Sequence, residues 1–315
     1  MSQSPPKHTS DVIHFSDRLA ESIRTRGSVV CVGIDPTVAG MPDELRERYA
    51  RDVSECGEEV AVAACFSEFS CGIIEAVADV AAAVKPQAAF FEQYGPPGWQ
   101  ALAEVVRCAQ SHDLPVIVDV KRGDIASTGA AYAAALFGEV PGLVGTAPGL
   151  GADAVTVSPY LGDDSLTPFT DRCRTGKGVF VLTRTSNPGA ALLQEKETDG
   201  RPLFLHVADL VARLGAEHIG AHGYSDVGAV AGATAPAALR AVRAALPNAF
   251  LLIPGYGAQG AGPEALEGLA AGDASGFLVN ASRSIIYAHR ETGADYRTAA
   301  ARAAVQMRDE IGAPA

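Results

Sequence analysis

The stretch VIVDVKRGDIAST, residues 116–128, runs from an apolar β-type segment into charges of alternating sign and then into a helical pattern. Side chains alternate along a strand, so Asp119 and Lys121 are predicted to share one face while the flanking valines face outward. A strand that ends in charges directly before a helix is typical of a β/α unit with its chemistry at the carboxyl end. Taken alone, the same residues could also form a structural ion pair, with Asp124 as the N-cap of the helix.

The same unit recurs along the chain, where apolar β-rich runs alternate with helical patterns in the manner of parallel strands joined by crossover helices. The second of these runs could instead continue the preceding helix. The predicted strands are 28–34, 80–85, 115–121, 154–158, 178–183, 227–231, 250–254 and 276–281. The predicted helices are 57–79, 98–111, 125–137, 203–214, 236–246, 263–271 and 296–311. Eight strands with helices between them predict an α/β fold, a closed (β/α)8 TIM barrel in a single domain.

Composition limits the possible partners and location. Residues 1–12 are polar and proline-bearing and are predicted to be a flexible N-terminal segment, so the barrel domain is assigned to residues 13–312. A net charge of −12 without a long basic cluster argues against nucleic acid or an anionic membrane as the partner. The sequence shows no signal peptide and no apolar run of membrane length, which predicts a cytoplasmic protein. The cysteines form no CxxC pair and are predicted to be buried free thiols: Cys31, Cys56, Cys65, Cys71, Cys108 and Cys173.

Charged residues end the first three predicted strands. Asp35 follows the first strand and Lys85 ends the second, at the rim where Asp119 and Lys121 end the third. Lys85, Asp119, Lys121 and Asp124 are together predicted to form a cluster of mixed charge at the mouth of the barrel. Singly, Asp35 before a proline is compatible with an ordinary turn residue, and Lys85 with a solvated strand end.

The last third of the chain carries a predicted anion site. Glycine-rich turns follow the seventh strand, where Gln259 lies, and Ser282 and Arg283 follow the eighth. Barrels usually hold phosphate in these two loops, because glycines let backbone N–H groups approach the anion and arginine offers a charged fork. We therefore expect a phosphomonoester substrate, although glycine-rich turns alone could be tight connections.

Two further features bear on the site. Ser186 begins a polar loop at the end of the fifth strand, placed to read the hydrogen-bonding edge of a ligand, although alone it could be an ordinary turn. The segment 185–200 is the leading candidate for a loop that closes over the substrate.

The seven histidines lack metal-ligand spacing, so no metal site is predicted.

The pattern Asp119-x-Lys121-x-x-Asp124-Ile-x-x-Thr128 resembles the D-x-K-x-x-D-I-x-x-T signature of the orotidine 5′-phosphate decarboxylases. Residues 85–95 and 185–189 are similar to the longer bacterial subgroup, and the resemblance spans residues 15–287. It implies a cofactor-free carboxy-lyase that converts orotidine 5′-phosphate to uridine 5′-monophosphate (UMP) and carbon dioxide, the last step of de novo pyrimidine synthesis.

The resemblance also implies roles for individual residues. Lys121 would stabilise a carbanion at carbon 6 and then protonate it. The family pattern implies a homodimer with shared sites, in which Lys85, Asp119 and Lys121 act with Asp124 of the other subunit. The implied substrate contacts are Asp35 and Thr128 for the ribose, Ser186 for the pyrimidine, and Gln259, Ser282 and Arg283 for the phosphate.

Two alternatives remain at this stage. A magnesium-dependent sugar-phosphate decarboxylase of the same superfamily would share the third-strand pattern, but it needs an acidic metal ligand where this chain has Lys85. A non-catalytic nucleotide-binding barrel would keep the anion site without the chemistry, and the presence of all four charged residues argues against it.

Overall fold

Eight parallel strands form the centre of the molecule in the computed structural model, which describes residues 12–257, 262–270 and 272–312. Each strand pairs with its neighbour in sequence, and the first pairs with the eighth through Val30 and Val279. Isolated parallel bridges join the second and third strands. The predicted (β/α)8 barrel is therefore confirmed, with strands one to eight at Val30–Ile34, Ala83–Pro86, Ile117–Arg122, Ala154–Val157, Gly178–Arg184, Ser225–Ala231, Ala249–Pro254 and Phe277–Ala281.

Helices cover the outside of this barrel. The second strand, which the pattern alone could have assigned to a helix, is a true strand, because the preceding helix ends at Val77. The main helices are α1 Phe15–Arg26, α2 Asp43–Cys56, α3 Glu58–Val77, α4 Ala88–Glu92, α5 Gly95–Ser111, α6 Ala126–Phe137, α7 Asp163–Thr170, α8 Ala191–Gln194, α9 Leu203–Gly215 and α10 Pro236–Ala245, with Tyr296–Ile311 near the end of the chain.

The predicted helix at 263–271 is wrong. Only a single 3-10 turn, Pro263–Leu266, forms there, and residue 271 lies outside the described residues. Gly268 adopts a φ of 74°, in the left-handed region that ends a right-handed helix. The sequence pattern also gave no element for α1, α2 or α7, nor for two short hairpins at 140–147 and 197–202.

The prediction that all cysteines are buried is also wrong for Cys56. This residue ends the highly charged helix α2, where its thiol is exposed and donates to the carbonyl of Asp52. Cys71 and Cys108 are only partly buried, whereas Cys31, Cys65 and Cys173 are buried, and all six are free thiols. Burial raises the pKa of Cys31, in the first strand, to about 12, which keeps it a neutral thiol.

Helix α3 does not fit the earlier statement that no apolar run in the chain has the length of a membrane span. Among the described helices it alone is long and apolar enough to cross a membrane, by length and composition only. Over half of its most apolar window is buried inside the molecule, against the barrel and neighbouring helices. This burial is typical of a core helix.

Helix α1 covers the amino end of the barrel. Its first residue, Phe15, packs edge-on against Phe180 with ring centroids 6.1 Å apart. Asp226, at the start of the sixth strand, accepts hydrogen bonds from the backbone and hydroxyl of Ser16, both at 2.9 Å, and lies 2.6 Å from His14 Nδ1. These contacts fix the helix where the strands begin, and the opposite end of the barrel is left open for ligands.

Candidate active site

A cavity of about 410 Å³ opens at the carboxyl ends of the strands. Lys85, Asp119 and Lys121 line it, together with Thr156 of the fourth strand and Ser186 from the loop after the fifth. The structure therefore brings together residues that are up to about a hundred positions apart in the sequence, at the end of the barrel where chemistry is expected.

Asp119 is the centre of the charged cluster. Its Oδ1 accepts hydrogen bonds from Lys121 Nζ and from Thr156 Oγ1, both at 2.7 Å. Its Oδ2 accepts from Lys85 Nζ at 2.8 Å, from Lys121 Nζ at 2.8 Å and from Gln87 Nε2 at 3.0 Å. Five donor contacts on one buried carboxylate occupy the acceptor directions that it offers, so its position is firmly fixed.

The charges in this cluster stabilise one another. Burial alone would raise the pKa of Asp119, but the ammonium groups of Lys85 and Lys121 outweigh it and hold that pKa well below its usual range. Burial would likewise lower the pKa of Lys85, and the carboxylates of Asp119 and Asp35 raise it instead. Asp119 and Lys85 are therefore a buried ion pair, charged at neutral pH.

The two lysines differ in access to the cavity. The side chain of Lys85 is 6% exposed, whereas that of Lys121 is 47% exposed. Lys121 also has a φ of 44°, in the left-handed region that residues other than glycine rarely adopt. A strained backbone at a charged side chain in a cavity is typical of a functional position.

Asp35 lies at the end of the first strand, close enough to Lys85 to raise its pKa. Its Oδ1 is buried and has no hydrogen-bond partner among the residues that the structure describes. Tyr287 holds the following loop, because its hydroxyl donates to the backbone carbonyl of Asp35 and accepts from the backbone N–H of Thr37, both at 2.8 Å. Asp35 therefore retains an unused acceptor beside the charged cluster.

Asp124 and Thr128 do not line the cavity of their own chain. Asp124 precedes helix α6, and its Oδ1 accepts from the N–H of Ile125 at 2.8 Å. Ile125, not Asp124, is the N-cap of that helix, and Thr128 is exposed in the first turn. The structure thus brings Lys85, Asp119 and Lys121 together and leaves the other two motif residues facing outward.

The loop after the fifth strand is folded over one side of the cavity. Arg184 makes an ion pair with Glu195 at 2.7 Å, and Gln194 exchanges hydrogen bonds with Thr185 at 2.9 Å. These contacts bring the short helix α8 back to the strand end, with Ser186 on the cavity wall. The segment 185–200, predicted to close over the substrate, therefore lies beside the cavity, and its closing role stays a prediction.

The predicted phosphate residues follow the eighth strand. Ser282 is half-buried before a short helix that begins with Arg283, whose side chain is exposed. Ser282 packs so closely on the first strand that a Cβ at Gly33 would lie 1.8 Å from its hydroxyl oxygen. Gly33 is therefore required for this loop to approach the barrel. Gln259, the third predicted phosphate residue, lies outside the described residues.

Sequence reasoning missed two side chains that contact Asp119. Gln87 lies two residues beyond Lys85, and strand alternation places it on the same face, which could have identified it. Thr156 gave no such signal, because a threonine within an apolar strand is common. Among residues 12–257, 262–270 and 272–312, no group of three or more His, Cys, Asp or Glu side chains is placed to hold a metal ion.

A (β/α)8 barrel with a lysine–aspartate–lysine cluster at the carboxyl ends of its strands is typical of a barrel enzyme. A family model described as orotidine 5′-phosphate decarboxylase / HUMPS family matches residues 28–299. The chain belongs to this family.

Individual relatives agree over nearly the whole chain. An orotidine 5′-phosphate decarboxylase from Rhodopirellula baltica is 43% identical over 94% of this chain and 98% of its own. An orotidine 5′-phosphate decarboxylase from Caldicellulosiruptor saccharolyticus is 39% identical over 96% of this chain and 99% of its own. Among solved structures, the OMP decarboxylase of Leishmania donovani has a TM-score of 0.71 at 35% identity, over 95% of this chain and 97% of that one.

Proposed function

We propose that this chain decarboxylates orotidine 5′-phosphate to UMP, releasing carbon dioxide in the last step of de novo pyrimidine synthesis in the cytoplasm. The observation that carries the proposal is the carboxylate of Asp119 held between the ammonium groups of Lys85 and Lys121, at 2.7–2.8 Å, inside a cavity at the carboxyl end of the barrel. Family membership supports the same activity.

The charges suit this reaction because loss of carbon dioxide from carbon 6 leaves a carbanion with no conjugated electron sink. An ammonium group beside that carbon stabilises the developing negative charge more than it stabilises the substrate. Asp119 would lie near the departing carboxylate, and like charges about 4 Å apart repel by about 4 kcal/mol at an effective dielectric of about 20. That repulsion relaxes as neutral carbon dioxide forms. The proposed reaction needs no cofactor, because Lys121 supplies both the charge and the proton.

The division of labour between the lysines follows from their exposure. Lys121, which is about half exposed, can donate a proton to carbon 6 and recover one from solvent. Lys85 is buried and remains beside Asp119, so the carboxylate keeps one cation when Lys121 has lost its proton. Lys85 is therefore assigned to hold the network, and Lys121 to react.

The substrate contacts are proposed residue by residue. The unused Oδ1 of Asp35 can accept a hydrogen bond from a ribose hydroxyl, together with the hydroxyl of Thr128. Ser186, on the cavity wall, is assigned to the pyrimidine. The phosphate is assigned to Arg283 with Ser282 and Gln259, at the strand ends where barrels bind phosphate.

The working unit is proposed to be a homodimer in which Asp124 and Thr128 enter the site of the partner subunit. Both lie outside their own cavity, and two exposed apolar side chains lie near Asp124 along the chain or across the neighbouring loop. Ile125 is 60% exposed and Tyr160 is 77% exposed, and Gly123 packs against the chain just before Tyr160. Large apolar side chains on an exposed surface favour a second chain covering them.

Release of carbon dioxide from orotidine 5′-phosphate tests the activity directly. We expect turnover by the purified protein, unchanged after treatment with EDTA. Activity lost to EDTA and restored by magnesium would favour the sugar-phosphate decarboxylase alternative. Binding of UMP without any release of carbon dioxide would favour the non-catalytic barrel.

Mixing two inactive variants tests the shared site. A dimer of one Lys121→Ala and one Asp124→Ala subunit would collect both defects in one site and leave the other native. Random re-pairing makes about half of the dimers mixed, so about a quarter of wild-type activity should return after co-refolding. No recovery would mean that Asp124 serves its own subunit.

A further inference from the structure

The third strand loses its regular pairing beside the reactive lysine. Val118 pairs with Val155 and Arg122 pairs with Val157 of the fourth strand, so three residues of the third strand lie opposite Thr156 alone. This is a β-bulge, a feature that bends a strand and redirects its side chains. Lys121, with its φ of 44°, lies within it.

The hydroxyl of Thr156 takes the place of the missing strand pairing. It accepts hydrogen bonds from the backbone N–H of Val120 at 3.1 Å and of Lys121 at 2.9 Å, and it donates to Asp119 Oδ1 at 2.7 Å. A threonine hydroxyl has one proton and two lone pairs, so all three are in use. Thr156 is 1% exposed, which leaves water little access to these groups.

This set of contacts joins the backbone of the lysine to the carboxylate that the lysine faces. Because both acceptor positions are taken by N–H groups, the hydroxyl proton can point only at Asp119. The hydroxyl has no hydrogen-bonding capacity left for a substrate, although Thr156 lies on the cavity wall. Its effect on the reaction must therefore pass through Lys121 and Asp119.

We propose that Thr156 is a positioning residue that holds the bulge and thereby sets the distance and direction of the Lys121 ammonium relative to carbon 6 of the substrate. This inference rests on the roles proposed for Lys121 and Asp119. Displacement of a reacting group by about 1 Å can lower a rate by about a hundredfold. Loss of the hydroxyl frees the bulge without removing either charge, so the rate should fall while ligand binding persists.

Replacement of Thr156 by valine and by serine separates the hydroxyl from the volume of the side chain. Thr156→Val keeps the shape and removes all three hydrogen bonds, and we expect kcat to fall about 10–100-fold. The affinity for UMP should stay within about threefold of wild type, because no ligand contact is lost. Thr156→Ser retains the hydroxyl and should keep kcat within about threefold of wild type.

Thr183→Val is the matched control. Thr183 is also a buried strand threonine, 2% exposed, and its hydroxyl donates to the carbonyl of Val181 in its own strand. This variant should turn over substrate at the wild-type rate. An equal loss of kcat in Thr183→Val and Thr156→Val would overturn the proposal, because it would reflect general damage to the barrel. A wild-type kcat in Thr156→Val would also overturn the proposal. So would a loss of kcat in Thr156→Ser equal to that in Thr156→Val, or a Thr156→Val variant that loses affinity for UMP but keeps its kcat.

Thr156→Cys covers the case in which the valine variant does not fold. A thiol is larger than the hydroxyl and is a weaker donor and acceptor, so kcat should lie below that of Thr156→Ser. A cysteine variant as active as wild type would contradict the proposal. Lys121→Ala is assayed alongside: if it retained activity, the proposed chemistry would fail, whereas an inactive Lys121→Ala beside a fully active Thr156→Val would reject only the role of Thr156.

Discussion

An aspartate is buried at each end of the barrel, and the pKa values of the two carboxyl groups are shifted in opposite directions. Asp119 at the carboxyl end is 5% exposed, and Asp226 at the amino end is 1% exposed. Each accepts several hydrogen bonds. The pKa of Asp119 is nevertheless lowered, and that of Asp226 is raised by burial in spite of the hydrogen bonds from Ser16 and His14.

The difference lies in the neighbouring charges, because burial and hydrogen bonding are similar at the two ends. Asp119 has two ammonium groups within 2.8 Å, whereas Asp226 accepts from the backbone N–H and hydroxyl of Ser16 and lies 2.6 Å from the His14 imidazole. A neutral donor offsets part of the desolvation of a carboxylate, and a full positive charge offsets more. The carboxyl end therefore maintains charges for chemistry, while the amino end uses a carboxyl group to hold helix α1 in place.

The largest effect on both stability and activity is expected from Asp119→Asn. The change removes the hydrogen-bonded counter-charge of the buried Lys85 ammonium, which should lower the free energy of unfolding by about 3–5 kcal/mol. Turnover should be lost as well. Urea denaturation and carbon dioxide release measure the two effects, and stability within about 1 kcal/mol of wild type would contradict the assignment of a buried ion pair.

Lys121→Ala should separate activity from stability at the same end. Lys85 still neutralises Asp119, and the removed side chain is about half exposed, so the free energy of unfolding should change by about 1 kcal/mol or less. Turnover should fall by about 10³-fold or more, because the cation and proton donor are both removed. Lys177→Ala is the control at the amino end, where this lysine donates to the carbonyl of Ala152. Near-normal turnover in Lys121→Ala would refute the mechanism.

Arg283→Ala should affect the nucleotide and leave the fold unchanged. Loss of a charge-assisted contact of about 1.5–3 kcal/mol lowers kcat/KM for orotidine 5′-phosphate by about 10–100-fold. The nucleoside orotidine, which has no phosphate, should react equally with variant and wild type. Arg290→Ala, another exposed arginine seven residues later, is the control. A kcat/KM that is unchanged in Arg283→Ala would place the phosphate elsewhere.

The sequence alone predicts the parts of this molecule that depend on local pattern. Eight strands and the meeting of Lys85, Asp119 and Lys121 followed from apolar periodicity and from the common edge of parallel strands. The bulge at Lys121 did not follow, because register and the left-handed backbone depend on pairing with a strand about 35 residues away. Simple alternation placed Asp119 and Lys121 on one face, but it could not identify Thr156 as the group that holds them.

Other features depend on contacts that periodicity does not encode. The amino-end cluster joins His14 and Ser16 to Asp226, more than 200 residues later, and no motif signals it. Helix α2 is polar on most of its surface, with Leu45 as its buried residue, so its apolar signal is weak. The role of Asp124 in the site of a partner subunit stays a prediction.

The smallest effect is expected from Asp226→Asn. An asparagine carbonyl oxygen can keep both hydrogen bonds from Ser16, which reach the same oxygen of Asp226, and its amide nitrogen would face His14 Nδ1. The free energy of unfolding near pH 7 should therefore change by about 1 kcal/mol or less, with turnover unchanged. Loss of several kcal/mol would mean that the charge of Asp226 stabilises the fold.

The pH dependence of the stability of Asp226→Asn tests more sharply whether the carboxyl groups at the two ends of the barrel differ in the direction of their pKa shifts. Because the folded pKa of Asp226 is raised, its contribution to stability is fully present below the unfolded pKa of about 3.9 and is lost as the pH rises through the folded value. Asp119 has a lowered folded pKa, so the pH dependence of its contribution to stability has the opposite sign. That contribution is present above the unfolded pKa of about 3.9 and is lost as the pH falls through the folded value. Asparagine does not titrate, so the stability of wild type relative to Asp226→Asn should be greatest below about pH 4 and decline toward about pH 7. Because His14 contacts the carboxylate of Asp226, the same comparison is made in a His14→Gln background. If the wild-type advantage grew with pH in both backgrounds, Asp226 would behave as Asp119 does, and neighbouring charge would not be what distinguishes the two ends.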